Sequence, residues 1–326
     1  MKKIAILTSG GDAPGMNAAI RAVTRAGVAA GMEVVGVRRG YNGLLENDIY
    51  PLDARSVANI LQMGGTCLYT ARSPEFNTPA GVKKAADNCR RLGIEGLVVI
   101  GGDGSFRGAR DLCGEGICCI GLPGTIDNDI SCTDYTIGYD TAANTAVEAI
   151  DRLRDTMQSH ERCSVVEVMG RNAGHLALYV GLATGATSVL VPEKKLDFEH
   201  DVVDCIRGAR LSGKTHYMII VAEGAGSAIE IGKQIHETIG LDPRVTILGH
   251  IQRGGTPTAR DRVMATRMGY HAVKVLAEGK TNRLICSRHG SMVDLDLEEG
   301  LAMKKGLNAQ QYEVLQAMTG LEVEGL

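Results

Sequence analysis

Seven residues, Pro123-Gly-Thr-Ile-Asp-Asn-Asp129, hold two carboxylates two positions apart with a small amide between them. They follow the apolar run Ile117–Leu122, which places them just past the end of a buried strand. In a loop of this kind Asp127 and Asp129 can aim at one centre, one holding a metal while the other takes a proton. The competing reading is turn and cap chemistry, because Asp and Asn bond their own backbone. The catalytic reading needs a second stretch that brings phosphate. Gly101-Gly-Asp-Gly-Ser105 supplies one: without Cβ atoms its amides can turn toward an anion, and a following helix adds its positive end. Asp103 within it would repel a phosphate unless a cation intervenes. Mg²⁺, held by one or two carboxylates plus phosphate oxygens, is the natural choice. Gly10 and Gly11 offer a further pair. Neither a P-loop nor a G-x-G-x-x-G dinucleotide fingerprint is present.

Arginine supplies the opposite sign. Arg72, Arg162, Arg171, Arg244 and Arg253 lie in or near loops that follow or flank strands, and guanidinium groups suit bidentate phosphate binding. For any single one, a surface ion pair is the competing reading. Arg171 in M-G-R and Arg253 in H-I-Q-R-G-G stand out because a strand precedes each and glycine flanks each. His250 next to Arg253 suits a phosphate or sugar. Glu223 can accept sugar hydroxyls or cap a helix.

These residues must be positioned by a scaffold, and the apolar pattern describes it. Strands are expected at Lys3–Thr8, Glu33–Val37, Leu97–Ile100, Ile117–Leu122, Ser164–Met169, Val189–Val191, Tyr217–Ala222 and Val245–Leu248. Helices are expected at Met16–Ala30, Asp53–Met63, Pro79–Leu92, Arg107–Leu112, Thr141–Met157, Leu176–Leu182, Phe198–Leu211, Ile229–Ile239 and Thr258–Leu276. The alternation predicts an α/β fold of two Rossmann-like three-layer α/β/α domains with largely parallel sheets. The division expected is 1–138 plus 251–303 for a larger nucleotide-binding domain and 139–250 plus 304–326 for a smaller sugar-phosphate-binding one. Six polar or glycine-rich clusters follow strands: Ser9–Asp12, Gly101–Ser105, Pro123–Asp129, Met169–Arg171, Ala222–Gly224 and Gly249–Gly255. Ligands in open α/β sheets bind outside the carboxyl ends of strands, and simple turns explain such a set poorly.

Bulk composition narrows the rest. The chain has 326 residues, a net charge of −3 and no Trp, which argues against nucleic acid, anionic membranes and stacking platforms for single strands. Nine cysteines lack metal-ligand spacing and read as small buried hydrophobes of a reducing cytosol. No signal-peptide pattern or membrane-long apolar run is seen, so a cytoplasmic location is expected.

Together, the stretches Leu7–Arg21, Gly101–Ser105, Pro123–Asp129, Asp151–Thr156, Val166–Arg171 and Leu248–Gly255 resemble the ATP-dependent 6-phosphofructokinases of the bacterial type. The resemblance runs from residue 7 to about residue 262 and thins over the tail. It implies phosphorylation of D-fructose 6-phosphate at its 1-hydroxyl by Mg-ATP, the committed step of glycolysis. Asp127 would be the base and Asp103 would hold Mg²⁺ with Asp129 assisting. Gly11, Arg72, Ser73, Gly102, Asp103, Gly104 and Ser105 would bind ATP. Thr125 would position the transferred group and Arg171 would stabilise its charge. Thr125, Ile126, Asp127, Met169, Gly170, Arg171, Glu223, His250 and Arg253 would bind the sugar phosphate, joined by Arg162 and Arg244 from a neighbouring subunit of a homotetramer. Such sharing implies an allosteric enzyme.

Pyrophosphate-dependent relatives carry Asp at the position of Gly104 and Lys at that of Gly124; two glycines leave room for a nucleoside, so ATP is the expected donor. An ADP or phosphoenolpyruvate effector would be held by Arg21, Arg25, Arg55, Arg154, Gly185, Thr187, Ser212, Lys214 and His216. Ala54 and Ser212 stand where the family has arginine, and Thr187 where it has a glutamate associated with the effector's magnesium. Losing those charges predicts a weakened or retuned effector response. The rival readings are a pyrophosphate-dependent phosphofructokinase, a kinase for another sugar phosphate, and a catalytically silent nucleotide-sensing subunit. More remotely, a lipid or NAD kinase shares G-G-D-G-S but has no use for P-G-T-I-D-N-D. Intact Asp103 and Asp127, and a sensor's lack of need for Arg171, His250 and Arg253 together, argue against the silent subunit.

Overall fold

The computed structural model describes residues 1–319; the end of the predicted 304–326 segment, 320–326, lies outside the described residues. The chain forms two compact units. The first comprises Met1–Ile126, Ile130–Thr141 and Arg253–Lys305, and the second comprises Asp127–Asp129, Ala142–Gln252 and, of the described residues, 306–319.

The first unit opens with β1 (Lys3–Thr8), α1 (Met16–Ala29), β2 (Glu33–Val37), α2 (Tyr41–Glu46) and β3 (Ile49–Leu52). After a long irregular stretch come α3 (Pro79–Arg91), β4 (Gly96–Gly101), α4 (Asp103–Gly114) and β5 (Cys118–Pro123). The chain then enters α5 (Tyr139–Ser159) and the second unit, with β6 (Cys163–Val168), α6 (His175–Thr184), β7 (Ser188–Leu190), α7 (Cys205–Leu211), β8 (Tyr217–Ala222), α8 (Ala228–Ile239) and β9 (Arg244–Ile247). It returns through α9 (Ala259–Ala277), β10 (Arg283–Arg288), β11 (Ser291–Asp296) and α10 (Leu297–Ala302), and the described chain ends in α11 (Ala309–Thr319).

The first sheet has seven strands in the order β11-β10-β5-β4-β1-β2-β3, parallel except for β3 and β11 at its edges. Its central strands β1, β4 and β5 are buried along almost their whole length, as strands covered on both faces are. Pro51 sits in edge strand β3, where a missing N–H costs no central ladder bond. Leu7, Val35, Leu97, Val99, Phe106 and Leu112 centre one of its cores. The second sheet is fully parallel, β7-β8-β6-β9, over a core of Val165, Leu190, Ile206, Ile219, Val221 and Ile231. The six polar clusters thus divide, three to each sheet.

Two expected helices differ. Residues 53–63 form turns, not a helix. Asp53 Oδ1 accepts from Arg55 N at 2.9 Å and Ser56 N at 2.7 Å, closing a local turn, and the stretch has almost no buried face to pack as a helix. The Phe198–Leu211 helix opens as a π-helical turn, Glu199–Asp204, before α7. All nine cysteines are free thiols; six are buried and Cys67, Cys113 and Cys118 are half-buried. Among the described residues no helix is long and apolar enough to cross a membrane.

Candidate active site

In the first unit the strand order reverses between β1 and β4, the crevice where open α/β sheets bind ligands. Register brings three motifs side by side there. Ser9 N donates to Ile100 O at 3.0 Å, Gly101 pairs with Pro123, and Gly124 N donates to Gly101 O at 2.9 Å. Ser9–Asp12, Gly101–Ser105 and Pro123–Ile126 are therefore neighbouring strand tips. Ser105, nearly buried, donates from Oγ to Ser9 O at 3.0 Å and ties the first two together. A Cβ on Gly101 would lie 2.4 Å from that Oγ and 2.5 Å from Ser9 O, so only glycine fits between the loops.

α4 begins inside G-G-D-G-S. Gly102 is its N-cap and has no side chain to satisfy the first amides, which leaves them for an anion. Gly104 is exposed, and a Cβ there would meet nothing within 4 Å. Asp103 stands in the first turn and accepts from Arg107 Nε at 2.8 Å, with its side chain about half exposed. Among the described residues no group of three or more His, Cys, Asp and Glu side chains can hold a metal. A cation here must take most of its ligands from phosphate and water. That donor set suits Mg²⁺, which keeps several waters and needs only one or two carboxylates.

Arg72 and Ser73 lie in the irregular stretch between β3 and α3. Arg72 is exposed, while Ser73 is buried and its Oγ accepts from Phe76 N at 3.3 Å. Residues that the sequence reading did not single out hold this stretch. Asn17 on α1 is 2% exposed; it donates to Met63 O and Gly64 O, both at 3.1 Å, and accepts from Cys67 N at 2.7 Å. Thr70 Oγ1 donates to Gly10 O at 2.7 Å. Tyr41 donates to Ser105 O at 2.5 Å and stacks on Phe76. Asn17 lies within the Leu7–Arg21 motif, but its work depends on a loop about 50 residues away, which spacing alone does not reveal.

Arg253 belongs to this unit as well. Its Nη1 donates to Asp12 O at 3.2 Å and would stand 2.6 Å from a Cβ on Gly11. The guanidinium is therefore seated on the β1 loop. Thr125 and Ile126 are buried at the tip of β5. The chain passes to the second unit at Asp127, which is 7% exposed; Asn128 follows in the left-handed region at φ 50°, a conformation Asn tolerates better than most side chains. Asp129 is half-buried.

The second unit gathers its own strand tips. Val168 pairs with Ala222, and Leu248 N donates to Glu167 O at 3.1 Å, so Met169–Arg171, Glu223 and the Gly249–His250 turn are neighbours. Arg171 adopts φ 55°, a strained conformation for a long side chain. Its amide donates to Glu223 Oε2 at 3.0 Å. Gly170 at φ 146° approaches Ala173 O, and Gly224 approaches Arg171 O so closely that a Cβ would lie 2.3 Å from it. Arg171 and His250 are exposed, so both side chains are available to a ligand.

Arg162 and Arg244 are not brought to these tips. They stand at the amino ends of β6 and β9, about 20 Å and about 10 Å of strand respectively from the carboxyl ends. Thr187, Lys214 and His216 also precede strands, β7 and β8. Thr187 is 5% exposed, and its Oγ1 accepts from Met218 N at 3.1 Å. Arg154 donates to Thr184 O beside Gly185, the left-handed C-cap of α6, and Ser212 caps α7. Arg21 and Arg25 lie one turn apart on α1, and Arg55 is exposed in the 53–63 turns.

Glycine-rich anion cradles and a metal-competent carboxylate at the switch point of a doubly wound sheet make this a phosphoryl-transfer enzyme of the α/β class. The chain belongs to the phosphofructokinase family, whose model matches residues 3–276. It is 54% identical over 319 residues to an ATP-dependent 6-phosphofructokinase of Clostridium tetani, covering 98% of this chain and 100% of that one. It is 53% identical over 314 residues to the enzyme of the same name in Clostridium botulinum, covering 96% and 98%. Among solved structures, a phosphofructokinase of Saccharomyces cerevisiae superposes with a TM-score of 0.86 at 38% identity, over 98% of this chain but 47% of the longer yeast chain. A pyrophosphate-dependent phosphofructokinase of Marinobacter aquaeolei shares the fold, with a TM-score of 0.83 at 21% identity, over 98% of this chain and 92% of that one.

Proposed function

We propose that this chain transfers the γ-phosphoryl group of ATP to the 1-hydroxyl of D-fructose 6-phosphate, giving fructose 1,6-bisphosphate and ADP in glycolysis. The single observation that carries the reading is the register that sets S-G-G-D, G-G-D-G-S and P-G-T-I on adjacent strand tips in a chain of this family. The larger unit acts as the nucleotide-binding domain: amides of Gly11 and Gly102–Ser105 face the phosphates, and Arg72 and Ser73 complete the donor site. The smaller unit acts as the sugar-phosphate domain through Met169, Gly170, Arg171, Glu223 and His250.

Asp127 takes the proton of the attacking hydroxyl, and its low exposure keeps bulk water from competing for that role. Thr125 positions the phosphoryl group in flight and Arg171 offsets its charge. Asp103 would hold Mg²⁺, with Asp129 in an assisting role, and the ion would supply charge shielding for the phosphate oxygens. Such catalysis is mainly positioning and charge stabilisation. Arg162 and Arg244, at the far ends of their strands, serve a neighbouring subunit's sugar-phosphate site in a homotetramer, and the enzyme works in the cytoplasm. The basic set around Arg21, Arg25, Arg55, Arg154, Lys214 and His216 takes a phosphate effector. Its response is weak, because Thr187 is committed to Met218 and no arginine stands at positions 54 and 212.

The test is steady-state phosphorylation of fructose 6-phosphate with ATP and with pyrophosphate as alternative donors. ATP is expected to give the higher kcat/KM; a preference for pyrophosphate would transfer the chain to the other donor class.

A further inference from the structure

We propose that Asp261 on α9 is a positioning residue for phosphoryl transfer: it fixes the strap 135–141, and the strap fixes the backbone of Pro123 and Thr125. The inference rests on the reading of the Pro123–Asp129 loop as the phosphoryl-transfer loop. Every residue of the linkage up to Thr125 lies in the first unit.

Asp261 is a carboxylate with 0% exposure. Burying such a group is costly unless it is fully bonded. Here four donors converge on it from the strap. Tyr135 Oη donates to Oδ1 at 2.5 Å and Gly138 N to the same oxygen at 2.7 Å. Thr141 N and Thr141 Oγ1 donate to Oδ2 at 2.8 Å and 2.5 Å. Burial raises the Asp261 carboxyl above its ordinary value, opposed by these hydrogen bonds, and burial also holds the Tyr135 phenol far above its own, so that it remains a donor. Gly138 and Thr141 flank the start of α5, so Asp261 caps that helix from another element and lies at its positive end. The arrangement is reciprocal. Thr258, the N-cap of α9, accepts from Asp261 N, donates from its hydroxyl to Asp140 Oδ2 at 2.7 Å, and donates from its amide to Thr141 Oγ1 at 3.0 Å.

The strap carries this anchorage to the chemistry. Ile137 N donates to Pro123 O at 2.8 Å, and Thr136 Oγ1 donates to Thr125 O at 2.6 Å. It also packs without slack under the β1 loop. A Cβ on Gly138 would lie 2.6 Å from Ala13 Cβ, and one on Gly15 would lie 2.7 Å from Ile137 Cγ2. A shift of Asp261 is thus passed to Pro123 and Thr125, which lead the chain to Asp127 through the loop's buried entry. Asp261 itself is sealed away from any ligand, so it acts only through others. A misplacement of about 1 Å at a reacting group costs on the order of 10²-fold in rate.

Three variants test this: Asp261→Asn, which puts an amide among donors; Thr136→Val, which removes only the last link; and the double variant. Wild type is assayed first for fructose 6-phosphate phosphorylation by ATP. Asp261→Asn is expected to lower kcat by about 10²-fold per folded molecule, with KM for both substrates within about threefold. Thr136→Val is expected to lower kcat about tenfold, and the double variant to be no slower than Asp261→Asn alone. Deuterium exchange of the 123–138 peptide should speed up in Asp261→Asn. A kcat for the folded Asp261→Asn protein within about twofold of wild type, or a double variant whose losses multiply, would overturn the proposal. If Asp261→Asn does not fold, Thr136→Val decides: kcat within about twofold of wild type overturns the proposal and the tenfold loss supports it. If wild type itself does not phosphorylate fructose 6-phosphate, the functional reading fails. Exchange over 123–138 in Asp261→Asn then tests the anchorage separately, with unchanged exchange overturning it.

Discussion

Replacing Gly104 by Asp separates what the fold needs from what the nucleotide needs. A Cβ at this position meets nothing within 4 Å, so an aspartate enters without steric strain. In the first turn of α4 it also improves on glycine's helix propensity and complements the helix dipole, for a net gain of up to about 1 kcal/mol. In the proposed donor site the same charge would face the phosphates of ATP. At about 5 Å and an effective dielectric constant of about 20, repulsion costs roughly 3 kcal/mol per unit charge, or about 10²-fold in affinity. The expected result is a KM for ATP about 10²-fold higher at saturating fructose 6-phosphate, with a melting temperature equal to or slightly above wild type. Initial rates over an ATP titration, paired with thermal unfolding, read both quantities. A KM for ATP within about threefold of wild type would mean that Gly104 faces no nucleotide, and the placement of the donor would fall with it.

Gly101→Ala should behave in the opposite way. Its Cβ would press on Ser105 Oγ and the Ser9 carbonyl, so urea unfolding should show a loss of about 1–3 kcal/mol; unchanged stability would refute the close packing of the two loops. At the far edge of the same sheet, burial opposes the charge on Asp294, but Arg283 at 2.8 Å and Lys280 at 3.5 Å hold its carboxyl below the ordinary value. An acid held low binds fewer protons folded than unfolded, so its stabilisation is complete above the ordinary carboxylate pKa and is lost as pH falls through the lowered folded value. Asp294→Asn should cost about 1–3 kcal/mol at pH 7, and the difference from wild type should shrink in acid; a gap that widens on acidification would contradict the assignment.

The inner strands and the glycine-rich tips were legible because a strand buried on both faces must be apolar throughout and must end where polar residues begin, as at Ile100–Gly101 and Val168–Met169. Edge elements carry weaker signals. β3 contains a proline, and the β10–β11 hairpin turns at His289 and Gly290, both at positive φ, without the Asn-Gly pair that would announce such a turn. The expected helix at 53–63 failed because Asp53 has cap chemistry but no apolar stripe follows for a helix to bury. The two carboxylates proposed for catalysis, Asp127 and Asp129, could be singled out from the chemistry of a single loop. Asn17 and Asp261 could not, because each works by bonding backbone groups about 50 and 120 residues away, and nothing in their immediate neighbours records those partners. Arg253 shows a further limit: its motif is plain in sequence, but only the fold seats its guanidinium on Gly11 and Asp12.

The central claim is that Asp127 takes the proton of the attacking hydroxyl. The most direct measurement is kcat for fructose 6-phosphate phosphorylation by ATP in wild type and Asp127→Ser, with folding verified for both. General-base catalysis is worth about 10²–10⁴-fold, so the account predicts a loss in that range. A loss of less than about tenfold would contradict it.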